Sequence, residues 1–138
     1  MKNVYPVFLT ETDTVVLVEV PDLEILTEGK DLQDAIKMAR DAIGAKCISM
    51  EDAEEEITIP TEVSKLDVSK GTFAEEGNTI ISLVDIDTDV YRRQVDTTLV
   101  RRNVSLPSWL NYEAEKAGLN VSRVLQDALI STLKLSRF

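Results

Sequence analysis

Three aspartates in the middle of the chain have the type and spacing that could support catalysis. Asp85, Asp87 and Asp89 occupy every second position, and side chains two positions apart share one face of a β-strand. Converging carboxylates bind Mg²⁺ or Mn²⁺, so this spacing is compatible with a metal-dependent enzyme. The alternative is a polar strand end that leads into a linker. We favour this alternative and predict neither a metal site, nor a cofactor, nor an enzyme.

The absence of histidine removes other kinds of active site. Ser-His-Asp and Cys-His nucleophilic sites, His-ligated zinc and histidine acid–base pairs are all excluded. Any enzyme built from this chain would therefore have to work through carboxylates.

The charge of the chain is divided unevenly along its length. The 138 residues include 15 Lys and Arg and 25 Asp and Glu, which gives a formal net charge of −10. Residues 1–90 hold 7 basic and 21 acidic residues, a charge of −14, whereas residues 91–138 hold 8 basic and 4 acidic residues, a charge of +4. Such asymmetry indicates two modules with different partners. We predict a first domain over 1–90, a linker over 91–98 and a second domain over 99–138.

The composition predicts a globular protein of the cytoplasm. A hydrophobic content of 43% is enough for a core, and the only cysteine, Cys47, cannot form an internal disulfide. We expect Cys47 to be a buried apolar residue. No apolar run approaches the ~18 residues of a membrane span, so no membrane contact is expected.

The first module reads as a sheet covered by one helix, an α+β unit. Residues 4–10 and 14–20 are apolar and β-branched and predict a hairpin, and residues 25–27 predict a third strand. Asp31 is a candidate N-cap for a helix that reaches about Met50. An apolar stripe at spacings of three and four runs along that helix; its members are Leu32, Ala35, Ile36, Ala39, Ile43 and Cys47. Gly44 is a weak point inside the helix. Residues 79–86 predict a last strand, joined back to Phe73 through a turn at 76–78.

The second module reads as strand, helix, helix. Over residues 99–107 a period of two places Arg101, Asn103 and Ser105 on one strand face, opposite an apolar face. Arg102 falls on the apolar face and does not fit this pattern. A single strand with two short helices makes too small a core to be stable alone. We therefore predict a dimer in which two strands pair over four helices. The polar face is then either a binding surface or simply solvated.

The two helices of this module have recognisable ends. Ser108 is a candidate cap of the first helix, and Gly118 ends that helix in the position that favours left-handed backbone. Asn120 is a good N-cap for the second helix. By its place in the helical pattern, Trp109 is a core or dimer anchor rather than a nucleic-acid stacker.

Two segments of the second module resemble the ribbon-helix-helix family of DNA-binding proteins. They are residues 104–107 (Val-Ser-Leu-Pro) and residues 118–122 (Gly-Leu-Asn-Val-Ser), which precede an apolar helix. The resemblance implies a dimeric two-stranded ribbon in the major groove of operator DNA. Arg101 would then pair with guanine, Asn103 with adenine, and Ser105 with either. The N–H groups at the start of the second helix would bind a phosphate; these belong to Asn120, Val121 and Ser122.

Four segments of the first module resemble the HicB antitoxin family. These are residues 5–8 (Tyr-Pro-Val-Phe), 20–23 (Val-Pro-Asp-Leu), 27–35 and 57–60. The resemblance implies a partial ribonuclease H-like fold and a HicA-type toxin as partner, a small basic ribonuclease. An acidic run is then a candidate surface for attracting that toxin, or else a solvated face; its members are Glu51, Asp52, Glu54, Glu55 and Glu56.

The sequence thus predicts an antitoxin of a type II toxin–antitoxin system that blocks its toxin and represses its own operon. Two first modules on each DNA-binding dimer would give a heterotetramer or a larger complex. The competing hypothesis is a transcriptional repressor that senses a small molecule or metal and has no toxin partner.

Overall fold

The structure is a computed structural model, and it describes residues 1–135. Residues 136–138, the end of the predicted second domain, lie outside the described residues. The chain divides into two compact units, Met1–Arg92 and Arg93–Phe138. Among the described residues, no helix has the length and hydrophobicity needed to cross a membrane.

The first unit is built on an antiparallel sheet of four strands. The strands are β1 (Lys2–Glu11), β2 (Val16–Val20), β3 (Ile25–Gly29) and β4 (Asn78–Asp87). Their order is β3-β2-β1-β4, so the predicted hairpin and third strand are confirmed. The last strand is confirmed too, but it pairs with β1 and not with residues around Phe73, which form turns. These turns end at Gly77. Only glycine fits at this position, because a Cβ there would collide with the carbonyl oxygen of Glu11.

Helix α1 (Leu32–Asp52) covers one face of the sheet. The Asp31 side chain accepts a hydrogen bond from the Asp34 backbone N–H at 2.8 Å, and the Asp34 side chain accepts from the Lys30 N–H at 2.7 Å. This reciprocal capping confirms the predicted N-cap. Ala35, Ala39, Ile43 and Cys47 are fully buried, whereas Leu32 at the start of the predicted stripe is 39% exposed. The core therefore lies between this stripe and the sheet, where it packs on side chains such as Tyr5, Val7 and Leu9.

Residues 53–77 return the chain from α1 to β4 and cover part of the other face of the sheet. They contain two short 3₁₀ turns, at Val63–Lys65 and Val68–Lys70. Just after them, the Thr72 backbone N–H and hydroxyl donate to the carboxylate of Glu19 on β2, at 2.8 and 2.6 Å. The loop is therefore held to the sheet by polar contacts.

The chain continues from β4 directly into helix α2 (Thr88–Val95). The Asp87 carboxylate accepts from the backbone N–H groups of Asp89 and Val90, at 3.0 and 3.3 Å, which starts this helix. Residues 91–95 of the predicted linker are thus helical. The helix spans the boundary between the two units.

The second unit contains helices α3 (Ser108–Lys116) and α4 (Val121–Leu133). Gly118 has φ +67°, and the Asn120 side chain accepts from the Arg123 N–H at 3.1 Å, so both predicted end signals are confirmed. Ser108 is the first helical residue and not the cap, since Pro107 takes the N-cap position. Residues 96–107 form neither helix nor strand, so the strand predicted over 99–107 is absent from the single chain. A strand requires a hydrogen-bonding neighbour, and the described part of this chain offers none there.

Candidate functional site

The three aspartates that suggested a metal site do different work in the fold. Asp85 accepts from Arg40 Nη2 at 3.0 Å, and Asp87 caps α2 and lies 3.8 Å from Lys2 Nζ. Asp89 belongs to the first turn of α2, so the expectation that it shares a strand face with the other two is wrong. Within residues 1–135 no group of His, Cys, Asp or Glu side chains is arranged to hold a metal ion. The alternation of carboxylates thus reflects an ion pair, a helix cap and a helix start.

The acidic run that follows α1 is divided into two parts. Glu51 and Asp52 lie in the last turn of α1 and pair with Arg92 of α2, at 3.4 and 2.8 Å. The neighbouring Thr88 hydroxyl, together with the Met1 ammonium and Arg92, holds the pKa of Glu51 below its ordinary value. Glu51 and Asp52 therefore tie two helices together. The rest of the run is exposed to solvent; it comprises Glu54, Glu55 and Glu56.

A second contact fixes α2 against α1, and the sequence patterns did not reveal it. A Cβ at Gly44 would lie 2.5 Å from Cδ2 of Tyr91, so the glycine admits the tyrosine ring against the helix. The Tyr91 hydroxyl donates to Asp41 at 3.0 Å, and burial raises the pKa of that hydroxyl. The glycine in mid-helix was the available signal. The sequence pattern indicates a weak point of the helix at Gly44, whereas in the structure the missing side chain of this glycine makes room for the Tyr91 ring.

Cys47 has the structural role that its position predicts. It is fully buried in the core cluster, and burial raises the pKa of its thiol. A raised thiol pKa disfavours the reactive thiolate. Cys47 therefore acts as a small apolar residue of α1.

The predicted DNA-binding residues lie in two places in the second unit. Arg101, Asn103 and Ser105 are exposed within the irregular segment 96–107, so the single chain does not align them on a strand. Val121 and Ser122 form the first turn of α4, behind the capping side chain of Asn120. The first backbone N–H groups of a helix point outward with partial positive charge, a suitable site for an anion. The positions of Asn120, Val121 and Ser122 are therefore compatible with phosphate binding.

The second unit exposes the apolar residues that should form its core. Trp109 is 68% exposed and Tyr112 is 61% exposed. None of residues 93–135 is buried; even Leu125 and Ile130 on α4 are only half-buried. The described part of the second unit therefore has no buried core of its own. Trp109 is thus not a core residue within one chain, and its role as a dimer anchor stays a prediction.

Comparison with known protein families decides what kind of protein contains these two units. Residues 5–126 match the model of the HicB-like antitoxin of bacterial toxin–antitoxin systems. The chain belongs to this family. The match continues from the first unit well into the second, and members of the family are antitoxins. No curated protein matches this HicB-like antitoxin.

Two solved structures share the fold of this HicB-like antitoxin. One is a chain of a toxin–antitoxin complex from Streptococcus pneumoniae, with 20% identity, a TM-score of 0.60, and coverage of 96% of this chain and 99% of that chain. The other is the antitoxin HicB of Burkholderia pseudomallei, with 25% identity, a TM-score of 0.51, and coverage of 95% and 96%. The prediction of a mixed α/β protein of the HicB type is confirmed.

Proposed function

We propose that this HicB-like antitoxin inhibits a small basic ribonuclease of the HicA type through its first unit, and represses its own operon through its second unit. The observation that carries the proposal is a contrast between the two units. The first unit is acidic and has a buried core, whereas the second unit is basic and has no buried residue among residues 93–135. Each unit would then have a partner that complements it.

The first unit is suited to a basic protein partner. Residues 1–90 carry 21 acidic and 7 basic residues, and opposite charge speeds encounter and favours the correct partner. Of the predicted toxin-contact residues, Glu54, Glu55 and Glu56 are exposed, whereas Glu51 and Asp52 already pair with Arg92. We therefore assign the electrostatic role chiefly to the exposed three. Inhibition would be steric and needs no turnover chemistry.

The second unit is suited to a homodimer of the ribbon-helix-helix type. In that dimer residues 99–107 of two chains would pair as antiparallel strands, and the exposed apolar sides of α3 and α4 would be covered. Pairing would also align Arg101, Asn103 and Ser105 toward the major groove. Asn120, Val121 and Ser122 would hold a phosphate that sets the register. With one toxin on each first unit, the complex would be at least a heterotetramer. The ribonuclease H-like relationship of the sheet stays a prediction.

The test is co-expression with the product of the adjacent gene, followed by co-purification, a ribonuclease assay and binding to the operon's promoter. We expect a stable complex without ribonuclease activity that binds the promoter. Free toxin activity in a stoichiometric mixture would refute inhibition. Specific promoter binding without any adjacent partner would instead support a ligand-sensing repressor.

Arg101→Ala tests the DNA-binding face directly. Loss of a bidentate contact to guanine costs about 1–3 kcal/mol and relaxes specificity at one base pair. The expected result in a fluorescence anisotropy titration is weaker operator binding with unchanged toxin binding. Unchanged operator affinity would contradict the proposed ribbon face.

A further inference from the structure

The sheet of the first unit has two outer edges, and they differ in how well they are protected. The β3 edge has only five residues, and Glu28 places a charge within it. The β4 edge has ten residues, and its stretch 78–84 contains neither a charge nor a proline. Short length, charge and proline are the usual means of preventing another strand from pairing with an edge. The β4 edge has none of these over that stretch.

Hydrogen bonds at one end of β4 identify which of its backbone groups point outward. The Thr88 N–H donates to the Met1 carbonyl at 2.9 Å, so the even-numbered residues of this strand face β1. Arg40 Nε donates to the Asp85 carbonyl at 3.3 Å, which marks the odd-numbered residues as outward. Backbone direction alternates along a strand, so Thr79, Ile81 and Leu83 present their N–H and C=O groups away from the sheet. In residues 1–135 no hydrogen bond occupies these three positions.

Apolar side chains adjoin this open row of backbone groups. Leu83 is 58% exposed and Val4 of the adjacent strand is 47% exposed. Both lie on the sheet face opposite α1, because the next residues along their strands, Val84 and Tyr5, are fully buried in the core beneath the helix. An incoming strand would therefore find unpaired backbone groups together with an apolar surface beside them.

We propose that the β4 edge accepts an extended strand from a positively charged protein partner, which continues the sheet of the first unit. Main-chain hydrogen bonds would give affinity, and contacts with Leu83 and Val4 would give register. Charge selects the partner: residues 1–90 have a net charge of −14, and a second copy of this unit would bring the same sign. The acidic residues Glu11 and Glu76 lie exposed near one end of the edge. In the proposed function this partner is the toxin, and the inference rests on that function.

A matched pair of substitutions tests the edge. Leu83→Lys places a charge on β4, and Leu26→Lys places the same charge on β3, where the leucine is 55% exposed on the same sheet face. Toxin affinity of the full chain is measured by calorimetry for both. We expect Leu83→Lys to weaken binding about tenfold or more, as for a central interface residue, and Leu26→Lys to change it less than about threefold. Equal effects would overturn the proposal.

Leu83→Pro tests the backbone contribution. It removes an outward N–H that takes no part in pairing with β1, and edge strands tolerate proline at such positions. Circular dichroism of the free variant confirms folding, and we expect the same direction of effect on toxin binding as for lysine. Amide exchange gives an independent measurement: the Ile81 and Leu83 amides should exchange quickly in the free chain and become protected when toxin is added. Fast exchange in the complex would overturn the proposal even if a variant failed to fold.

The outcomes separate this inference from the proposed function. A wild-type chain that does not bind the adjacent gene product refutes both. A wild-type chain that binds it, with unprotected β4 amides, refutes the edge alone. If Leu83→Lys reduces the mass of the free chain in light scattering and leaves toxin affinity unchanged, a second copy occupies the edge and the proposal is wrong.

Discussion

The two units of this antitoxin resolve the burial of apolar residues in opposite ways. In the first unit Ile43, Val18 and Tyr5 have no exposed surface, and one helix on one sheet closes the core. In the second unit, side chains with a large apolar area, such as Trp109, are exposed to solvent. The hydrophobic effect is proportional to the area removed from water. A single chain therefore closes the core of the first unit, whereas residues 93–135 form no buried core within one chain and would gain one in the proposed dimer.

The largest expected effect is a dependence of the second unit on protein concentration. Trp109 is the only tryptophan, so its fluorescence reports on the second unit within the full chain. Because dissociation precedes or accompanies unfolding of a dimer, its thermal midpoint should rise with protein concentration. The midpoint of the first unit, followed by the NMR methyl signals of buried Val18, should not change. Two midpoints that are both independent of concentration would contradict the contrast between the units.

A core substitution measures the stability of the first unit alone. Ile43→Ala removes buried methyl and methylene groups and should lower the unfolding free energy of this unit by about 2–5 kcal/mol. Ile59 is 80% exposed, and Ile59→Ala is the control, with an expected change within about 0.5 kcal/mol. Urea titration followed by the NMR methyl signals of Val18 and by the fluorescence of Trp109 provides the measurement. A comparable loss at Trp109 would show that the two units unfold together.

The contact between Gly44 and Tyr91 tests how α2 is attached to the first unit. Gly44→Ala should destabilise the first unit by about 1–3 kcal/mol, because the new methyl group meets the tyrosine ring. In a Tyr91→Ala background the sign should reverse, since alanine is favoured over glycine in a helix by about 1 kcal/mol. A double-mutant cycle in urea measures both. The same sign in both backgrounds would show that the ring does not determine the effect.

The smallest expected effect is on the acid side of the stability profile. The pKa of Glu51 is lowered from 4.5, so its stabilising contribution is fully present above that value and is lost as pH falls through the folded-state pKa. Glu51→Gln should flatten the fall in the thermal midpoint of the first unit below about pH 4.5. Glu56→Gln removes an exposed carboxylate and is the matched control. Identical slopes for the two variants would contradict a role for Glu51 at the junction of α1 and α2.

Features that depend on a few neighbouring residues could be predicted from the sequence. The caps at Asp31 and Asn120 and the left-handed Gly118 follow from local hydrogen bonding and backbone freedom. Features that depend on distant residues could not. The start of α2 depends on the nearby Asp87 cap. The packing of α2 against α1, in contrast, depends on contact between the Tyr91 ring and Gly44, which lies 47 positions earlier in the chain.

The candidate sites show the same limit more strongly. The alternation of Asp85, Asp87 and Asp89 correctly marked a strand end but could not show that a helix begins at residue 88. The strand over 99–107 was predicted from a period of two, yet a period gives no information on which chain supplies the pairing partner. The β4 edge went unnoticed because strand order is decided by tertiary packing. Residues that act within one turn were therefore placed well, and residues that act between strands or chains were not.

The close approach of Gly77 to the Glu11 carbonyl bears on how this protein can change over evolutionary time. Most of the preceding residues 53–76 are exposed, and none belongs to a strand that must keep its register. We therefore expect substitutions and insertions to be tolerated there, except at residues that hold the loop to the sheet, such as Thr72. The glycine has no such freedom, since any side chain there would push apart the first pair of β1 and β4. Among related antitoxins we therefore expect the loop to vary in length and charge, whereas the glycine at position 77, where the chain returns to the sheet, should not be replaced.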